Sequence, residues 1–598
     1  MLFRYVILIL IILPFTLNAQ TTGDFRSVGT GNWGTSGTWE RYSSGGVWQA
    51  SGIGENNPGQ VPTNAATTIT VQGGHNVTVA APATSKALVV NGTLTLGTQT
   101  VNATTFAISG TGTITISTGT ITAGDITSST ITASGAATIN CAGLWNVTNF
   151  TASTSSVIFT GTANVNSANT FSTFRVNAGV RTLATSTVVT NLNIAGGTLD
   201  LNNNSLSISG TYTNAGTLTA NGATSTLIFN GNALQSFTVG AYTGTLISNL
   251  TISNTNASGV RLDAAVTAGE LLINGASFLN LNGRIISVKN NLTNNGTLTS
   301  TAANSTINMN GTAAQVISGT GTFTTGAAGS LLNLTINNSA GVDLQKNVSI
   351  QTGLTLTAGS LSTSNASTLT LGIGATSTLT VTRTDGTLGL VPAFNLAGVT
   401  YNIVYNTASG TITTGTEVNS TVNNLTINNT TGVDLQTSII LVNGLTLTTG
   451  TLNTSNASTV TIGTGAASIF AMTRSNGILD IVPVFNLTNV NFDLRYDAAT
   501  ALLTPGNEYN GTVRNFYMNS GNGLDLNAPL TINGVFTLNA GRITLNANDV
   551  TCSSTSSNAG TYNATKMLVQ NGAGRLLRIF NGAQTFTFPI GEIGRAHV

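Results

Sequence analysis

Apolar and polar positions alternate in short runs along most of this chain. Leu94 and Leu96 interleave with Thr93 and Thr95, and Ile114 and Ile116 interleave with Thr113 and Thr115. A period of two puts the aliphatics on one face and the threonines on the other, which predicts half-buried strands. Gly, Asn and Ser mark the corners between runs, because Gly and Asn tolerate positive φ and Asn side chains bond nearby backbone. Ile69 to Val79 reads the same way, as two strands around a Gly73-Gly74 turn.

The spacing of these runs sets the architecture. From Leu334/Ile336 to Leu354/Leu356 is 20 residues, and Leu425/Ile427 to Leu445/Leu447 repeats that step. A unit of strands and turns this short, with no amphipathic helix, cannot bury its aliphatic face alone; stacking on its neighbours completes a core. The expected fold is all-β, a parallel β-helix or β-solenoid of roughly 20-residue coils. Above the coil lies a longer period. Asn333–Val422 returns as Asn424–Val513 at an offset of 91 residues, with Asn333-Leu334-Thr335-Ile336-Asn337-Asn338 matching Asn424-Leu425-Thr426-Ile427-Asn428-Asn429. A third copy begins at Asn515, and weaker ones start near Thr173 and Asn249, at spacings of 76 and 84 residues. Each 91-residue copy should hold about four coils. Beads of β-sandwich are the rival architecture, since 80 to 90 residues suit one sandwich. The coil-sized sub-period and the lack of linkers between copies count against them.

One segment per copy departs from the short-coil pattern. Thr382-Arg383-Thr384-Asp385-Gly386 matches Thr473-Arg474-Ser475-Asn476-Gly477, followed by the aromatic stretches Tyr401 to Tyr405 and Phe492 to Tyr496 and, in the first copy, by Thr414-Gly415-Thr416-Glu417. Longer strands with aromatics predict a coil that bulges outward or a hairpin on the side of the stack, the surface where any ligand of the array is expected to bind.

The ends differ from the middle. Residues 1–19 carry Arg4, an apolar run and a small residue at Ala19, and read as a secretory signal peptide. Residues 20–70 hold Trp33, Trp39 and Trp48, three of the four tryptophans. A terminal unit of different composition suits a cap over unpaired strand edges. The same three residues are the candidate carbohydrate contacts, because flat rings with a polar edge stack on sugars. Short coils are expected over 71–172 and long repeats over 173–570. Residues 571–591 look like the opening of a further module, and 592–598 read as an adapter-derived scar, so the natural protein is expected to continue beyond Gly591.

Composition narrows the function classes. Charged residues are 6% of 598, with Lys+Arg 19 against Asp+Glu 18, so no basic stripe exists to neutralise nucleic-acid phosphates. No later segment offers the uninterrupted apolar run of a spanning helix. Cys141 and Cys552 lie 411 positions apart on different repeats, which predicts two buried, unpaired thiols. Polysaccharide cleavage needs carboxylates clustered within a few ångströms. The 12 Asp and six Glu are scattered, and Asp343, Asp434 and Asp525 recur at the repeat interval, as corner residues would. Asp493, Asp497 and Arg495 are the densest group, but the preceding copy has Asn402, Asn406 and Val404 there, so a solvated strand edge is expected. His75 stands alone, apart from His597, and reads as a turn residue. No catalytic, metal or cofactor-binding set emerges, and no cofactor is expected. Outward Thr-x-Thr rows raise an ice-binding face, against which the varying coil lengths count.

The repeated Asn-Leu-Thr-Ile-Asn-Asn openings, the Thr-Gly-Thr-Glu segment, Phe588-Pro589-Ile590-Gly591, and the N-terminal Gly31-Asn32-Trp33 and Thr38-Trp39-Glu40 resemble the large repetitive surface proteins of Bacteroidota. The resemblance implies export by a Sec signal, commonly a type IX secretion sorting domain at the C-terminus, and no catalytic residues. With it, the expectation is a secreted, non-enzymatic, adhesin-like stalk at the outer-membrane surface of a Gram-negative bacterium, meeting surface polysaccharide or a host or neighbouring cell. A carbohydrate-binding or polysaccharide-cleaving β-helix is the runner-up. Low charge and exposed strand rows also predict end-to-end self-association.

Overall fold

The computed structural model describes residues 20–103, 107–238, 241–327 and 329–591. The expected signal peptide and the 592–598 scar therefore lie outside the described residues. The chain is a parallel β-solenoid of about 26 coils of about 20 residues. It forms two compact units, Met1–Ile228 with Thr238–Gly244, and Phe229–Phe237 with Thr245–Val598.

In the first unit the coil has three sides. Thr68–Val71 pairs in parallel with Ala87–Val90, Asn76–Thr78 with Thr93–Gly97, and Ala83–Thr84 with Thr100–Ala103. The Gly73-Gly74 turn is thus a corner and not a hairpin tip, since the strands on either side of it pair with the next coil. Alternation decides what is buried: Leu94, Ile114 and Ile131 stack in the core at no more than 1% exposure, and their threonine neighbours face out. Deeper in the stack, Trp145, Phe159, Phe171 and Phe174 fill the interior, with the Trp145 indole donating to Asn169 at 2.8 Å.

The N-terminal segment closes one edge of this unit. Phe25–Ser27, Trp39–Tyr42 and Trp48–Ala50 form an antiparallel trio. Phe25 and Arg26 pair in parallel with Ile69 and Thr70, and Gly31 and Asn32 with Val77 and Thr78. Backbone groups that the first coil would leave unpaired are satisfied by these strands.

The second unit holds the 91-residue copies, and they agree strand for strand. Ser330–Asn337, Val348–Ala358, Ser377–Arg383 and Val399–Tyr405 recur as Thr421–Asn428, Ile439–Thr449, Ser468–Arg474 and Val490–Tyr496. Leu334, Leu354, Val381, Ile403 and Leu425 stack in one column, so a copy is four coils, of 20, 27, 22 and 22 residues. Corners absorb the difference in length while the strand ladder stays in register. At two equivalent corners, Gly359 and Gly450 adopt φ of 71° and 76°, and a Cβ there would meet the carbonyl oxygens of Asn338 and Asn429 at 1.8 and 1.7 Å. The buried Asn338 amide bonds Gln315 Oε1 at 2.9 Å in the coil before it, and Asn429 bonds the Gly410 carbonyl at 2.9 Å.

The segment expected to bulge outward is instead part of the wall. Ser377–Arg383 and Val399–Tyr405 pair in parallel with each other and with the coils on either side, and Tyr401 and Tyr405 point into the core at 1% exposure. What leaves the wall is the short stretch between them, where Val391 and its equivalent Val482 are 81% and 76% exposed.

Candidate functional site

The three candidate tryptophans do not share one surface. Trp39 is fully buried, donates its indole N–H to the Trp33 carbonyl at 2.9 Å, and packs edge-on to the buried Trp33 ring with centroids 5.3 Å apart. Trp48 is half-buried on the outer strand of the trio, with Tyr42 against its ring at 5.1 Å and the Arg26 guanidinium over it at 4.5 Å. Arg26 is itself held by Glu40 at 2.7 Å. Beside them lies a groove of about 220 Å3, lined by Trp48, Arg26, Asp24, Thr68 and Gln72. Only Trp48 of the three presents its ring to this groove.

His75 stands at the first corner, its Nδ1 2.8 Å from the hydroxyl of the buried Ser27, which also accepts the Gln72 N–H at 2.9 Å. It pins the cap to the first coil. Cys141 and Cys552 are free and buried, and burial pushes the Cys141 thiol up to about 11, so it stays protonated at neutral pH.

Carboxylates are where chemistry would reside, and each copy buries one. Glu417 is fully buried; its Oε1 accepts from Arg383 at 2.8 Å, Tyr405 at 3.1 Å and the Gly415 N–H at 3.0 Å. Glu508 repeats the arrangement with Arg474 at 2.5 Å, Tyr496 at 3.0 Å and the Gly506 N–H at 3.0 Å. Burial first, then the neighbouring carboxylate, raises the Tyr405 and Tyr496 hydroxyls well above their ordinary range. These phenols remain donors, and the centres hold coils together. Nothing in charge patterning announces a buried ion pair. The signal available was recurrence: Arg383 and Glu417 reappear as Arg474 and Glu508, both 91 residues on.

The remaining acids sit at corners and edges. Asp343 accepts the Ser364 N–H at 2.8 Å and its hydroxyl at 2.6 Å in the next coil, and Asp434 holds Ser455 at 2.7 Å in the same two ways. Asp493 is paired with Arg514, Asp497 accepts the Asn519 amide at 2.7 Å, and Arg495 lies over the Tyr517 ring at 4.8 Å. That group is a ladder of outward side chains. Among the described residues no cluster of three or more His, Cys, Asp or Glu is placed to hold a metal ion, and no helix is long and apolar enough to cross a membrane.

Outward threonines form ranks in the first unit. Thr93, Thr113 and Thr130 stand in one column and Thr95, Thr115 and Thr132 in the next, with Asn76 and Thr78 before them. Coil lengths of 17 and 20 residues do not disturb the alignment, and Thr115 bonds Thr95 at 3.2 Å across the stack. No family model matches this chain, and neither a curated protein nor a solved structure does.

Proposed function

We propose that this protein is a secreted, non-enzymatic stalk of a bacterial cell surface, adhesin-like, of the kind that Bacteroidota export by type IX secretion. One observation carries most of the weight: the two 91-residue copies repeat the same four-coil wall around the same buried Arg–Glu–Tyr centre. A spacer needs its internal fastening in every copy, whereas a catalytic centre is needed once. Engagement of Glu417, Glu508, Asp343, Asp434 and Asp493 in fastening also supports a structural role.

The test is made in the source organism. Antibody against the second unit should label intact cells, protease added outside should remove the label, and deleting residues 333–423 should leave display intact while shortening the stalk by four coils. Label found only after lysis would overturn the proposal. A carbohydrate-binding role is the second reading, favoured by the half-exposed Trp48 beside its polar groove.

A further inference from the structure

The stretch from Glu270 to Asp343 is unusual in its charges: the only charged side chains between those two acids are Arg284 and Lys289. Arg284 is exposed, and among the described residues its guanidinium makes no ion pair or hydrogen bond. Asp263, whose carboxyl feels the field of Arg284, is already held by Arg261 at 2.8 Å. Arg284 therefore carries its positive charge with no carboxylate bonded to it among the described residues.

Arg284 stands at the rim of a groove of about 530 Å3, within the size range of ligand sites. Its floor is a ladder of outward side chains, with Ile285 beside Thr306 beside Asn333 in one column and Thr335 beside Thr355 in the next. The column continues at Gly353, over which the Asn333 side chain folds: a Cβ there would meet Asn333 Oδ1 at 2.6 Å. Across four coils the groove runs for three strand spacings, about 14 Å. The Thr335 and Thr355 hydroxyls have no partner among the described residues, and each can donate and accept. Ile285, 45% exposed, adds one apolar contact.

We propose that this groove binds a uronic acid-containing polysaccharide laid along the stack. Arg284 meets a sugar carboxylate, Thr335, Thr355 and Asn304 meet hydroxyls, and Ile285 meets a C–H face of the ring. A peptide would want deeper apolar pockets than a single Ile supplies, and a nucleic acid would want more than one free guanidinium. The second copy serves as an internal control. Asn424, Thr426 and Thr446 repeat the floor, but the coil before them presents Asn402 and Val404, and Asn402 closes onto Asn424 at 2.7 Å with no arginine at the rim. The proposal deepens the adhesin reading and rests on it for its biological sense.

Calorimetry of the full chain with oligogalacturonate, and with its methyl ester as the neutral probe, tests the site. Binding of the acid at least tenfold tighter than of the ester is expected, weakening with salt, and falling about tenfold or more in Arg284→Gln and several-fold in Thr335→Val. Thr426→Val should bind as the unaltered chain does. Equal affinity for acid and ester, no binding of either at millimolar concentration, or Arg284→Gln binding unchanged would overturn the proposal. Cells displaying Arg284→Gln separate the two ideas: normal display with undiminished adherence to a uronate-coated surface removes the site and leaves the stalk. Protein that never reaches the surface removes the stalk reading, while binding in solution still decides the site.

Discussion

The two 91-residue copies are alike inside and differ outside most sharply along one strand. Inward positions are held nearly residue for residue: Leu334 and Leu425, Leu354 and Leu445, Tyr405 and Tyr496, and the Arg383–Glu417 and Arg474–Glu508 pairs. Outward positions in the same strands diverge, from Asn402, Val404 and Asn406 to Asp493, Arg495 and Asp497. Even the bond across the stack changes kind, an amide pair between Asn402 and Asn424 in one copy and an ion pair between Asp493 and Arg514 in the other. An inward side chain must fit against the coils above and below it, whereas an outward one meets water. The wall is therefore a fixed scaffold, and its surface is free to vary where, as at Asn402 and Asp493, no shared fastening is made.

The sharpest way to break this comparison is at the buried acids. Glu417→Ala and Glu508→Ala should each destabilise by about 3 to 5 kcal/mol, because each leaves a buried guanidinium uncompensated. Urea midpoints of the two variants should agree, and a large difference would show that the inner walls are not equivalent. Gly359→Ala and Gly450→Ala come next, at about 2 to 3 kcal/mol each, since a Cβ is both strained at positive φ and blocked by a carbonyl. Tyr405→Phe and Tyr496→Phe remove one bond to a carboxylate, about 1.5 kcal/mol each by the same measurement.

Acid separates the copies where mutation of the wall does not. Asp385 accepts the Ser409 N–H and hydroxyl, both at 2.7 Å, and the Ser409 hydroxyl and then its backbone N–H hold this carboxyl below its usual range. A carboxyl depressed on folding contributes stability above its unfolded value, near pH 4, and loses it as pH falls through the folded value. In the second copy Asn476 does the same work for Thr500 and has no proton to gain. Amide exchange corrected for intrinsic rates should show Ser409 losing protection on acidification while Thr500 keeps it, and Asp385→Asn should abolish the difference. The smallest effect belongs to the surface: Asp493→Asn should shift stability by at most about 1 kcal/mol, and high salt should erase even that.

Much of the fold was legible because strand alternation and coil length are local facts. Thr93-Leu94-Thr95-Leu96 announces its two faces in four residues, and the 91-residue offset announces the four-coil copy. The inward course of Arg383 and Tyr405 was not legible. Arginine with aromatics in a longer strand reads as surface, and the partner that makes burial tolerable, Glu417, lies 34 residues further on. The groove at Arg284 was hidden for a related reason. Its floor gathers Ile285, Thr306, Asn333 and Thr355 from four coils, a juxtaposition that no single stretch of text displays.

A coil of 27 residues and one of 20 both advance the stack by a single hydrogen-bonded rung. Height in this wall is therefore counted in rungs and not in residues. Gain or loss of one 91-residue segment would add or remove four rungs, about 19 Å, with matching strand edges at the join, because the strand pattern repeats from copy to copy. The length of the stack could thus change in discrete, foldable steps, with every remaining copy left intact.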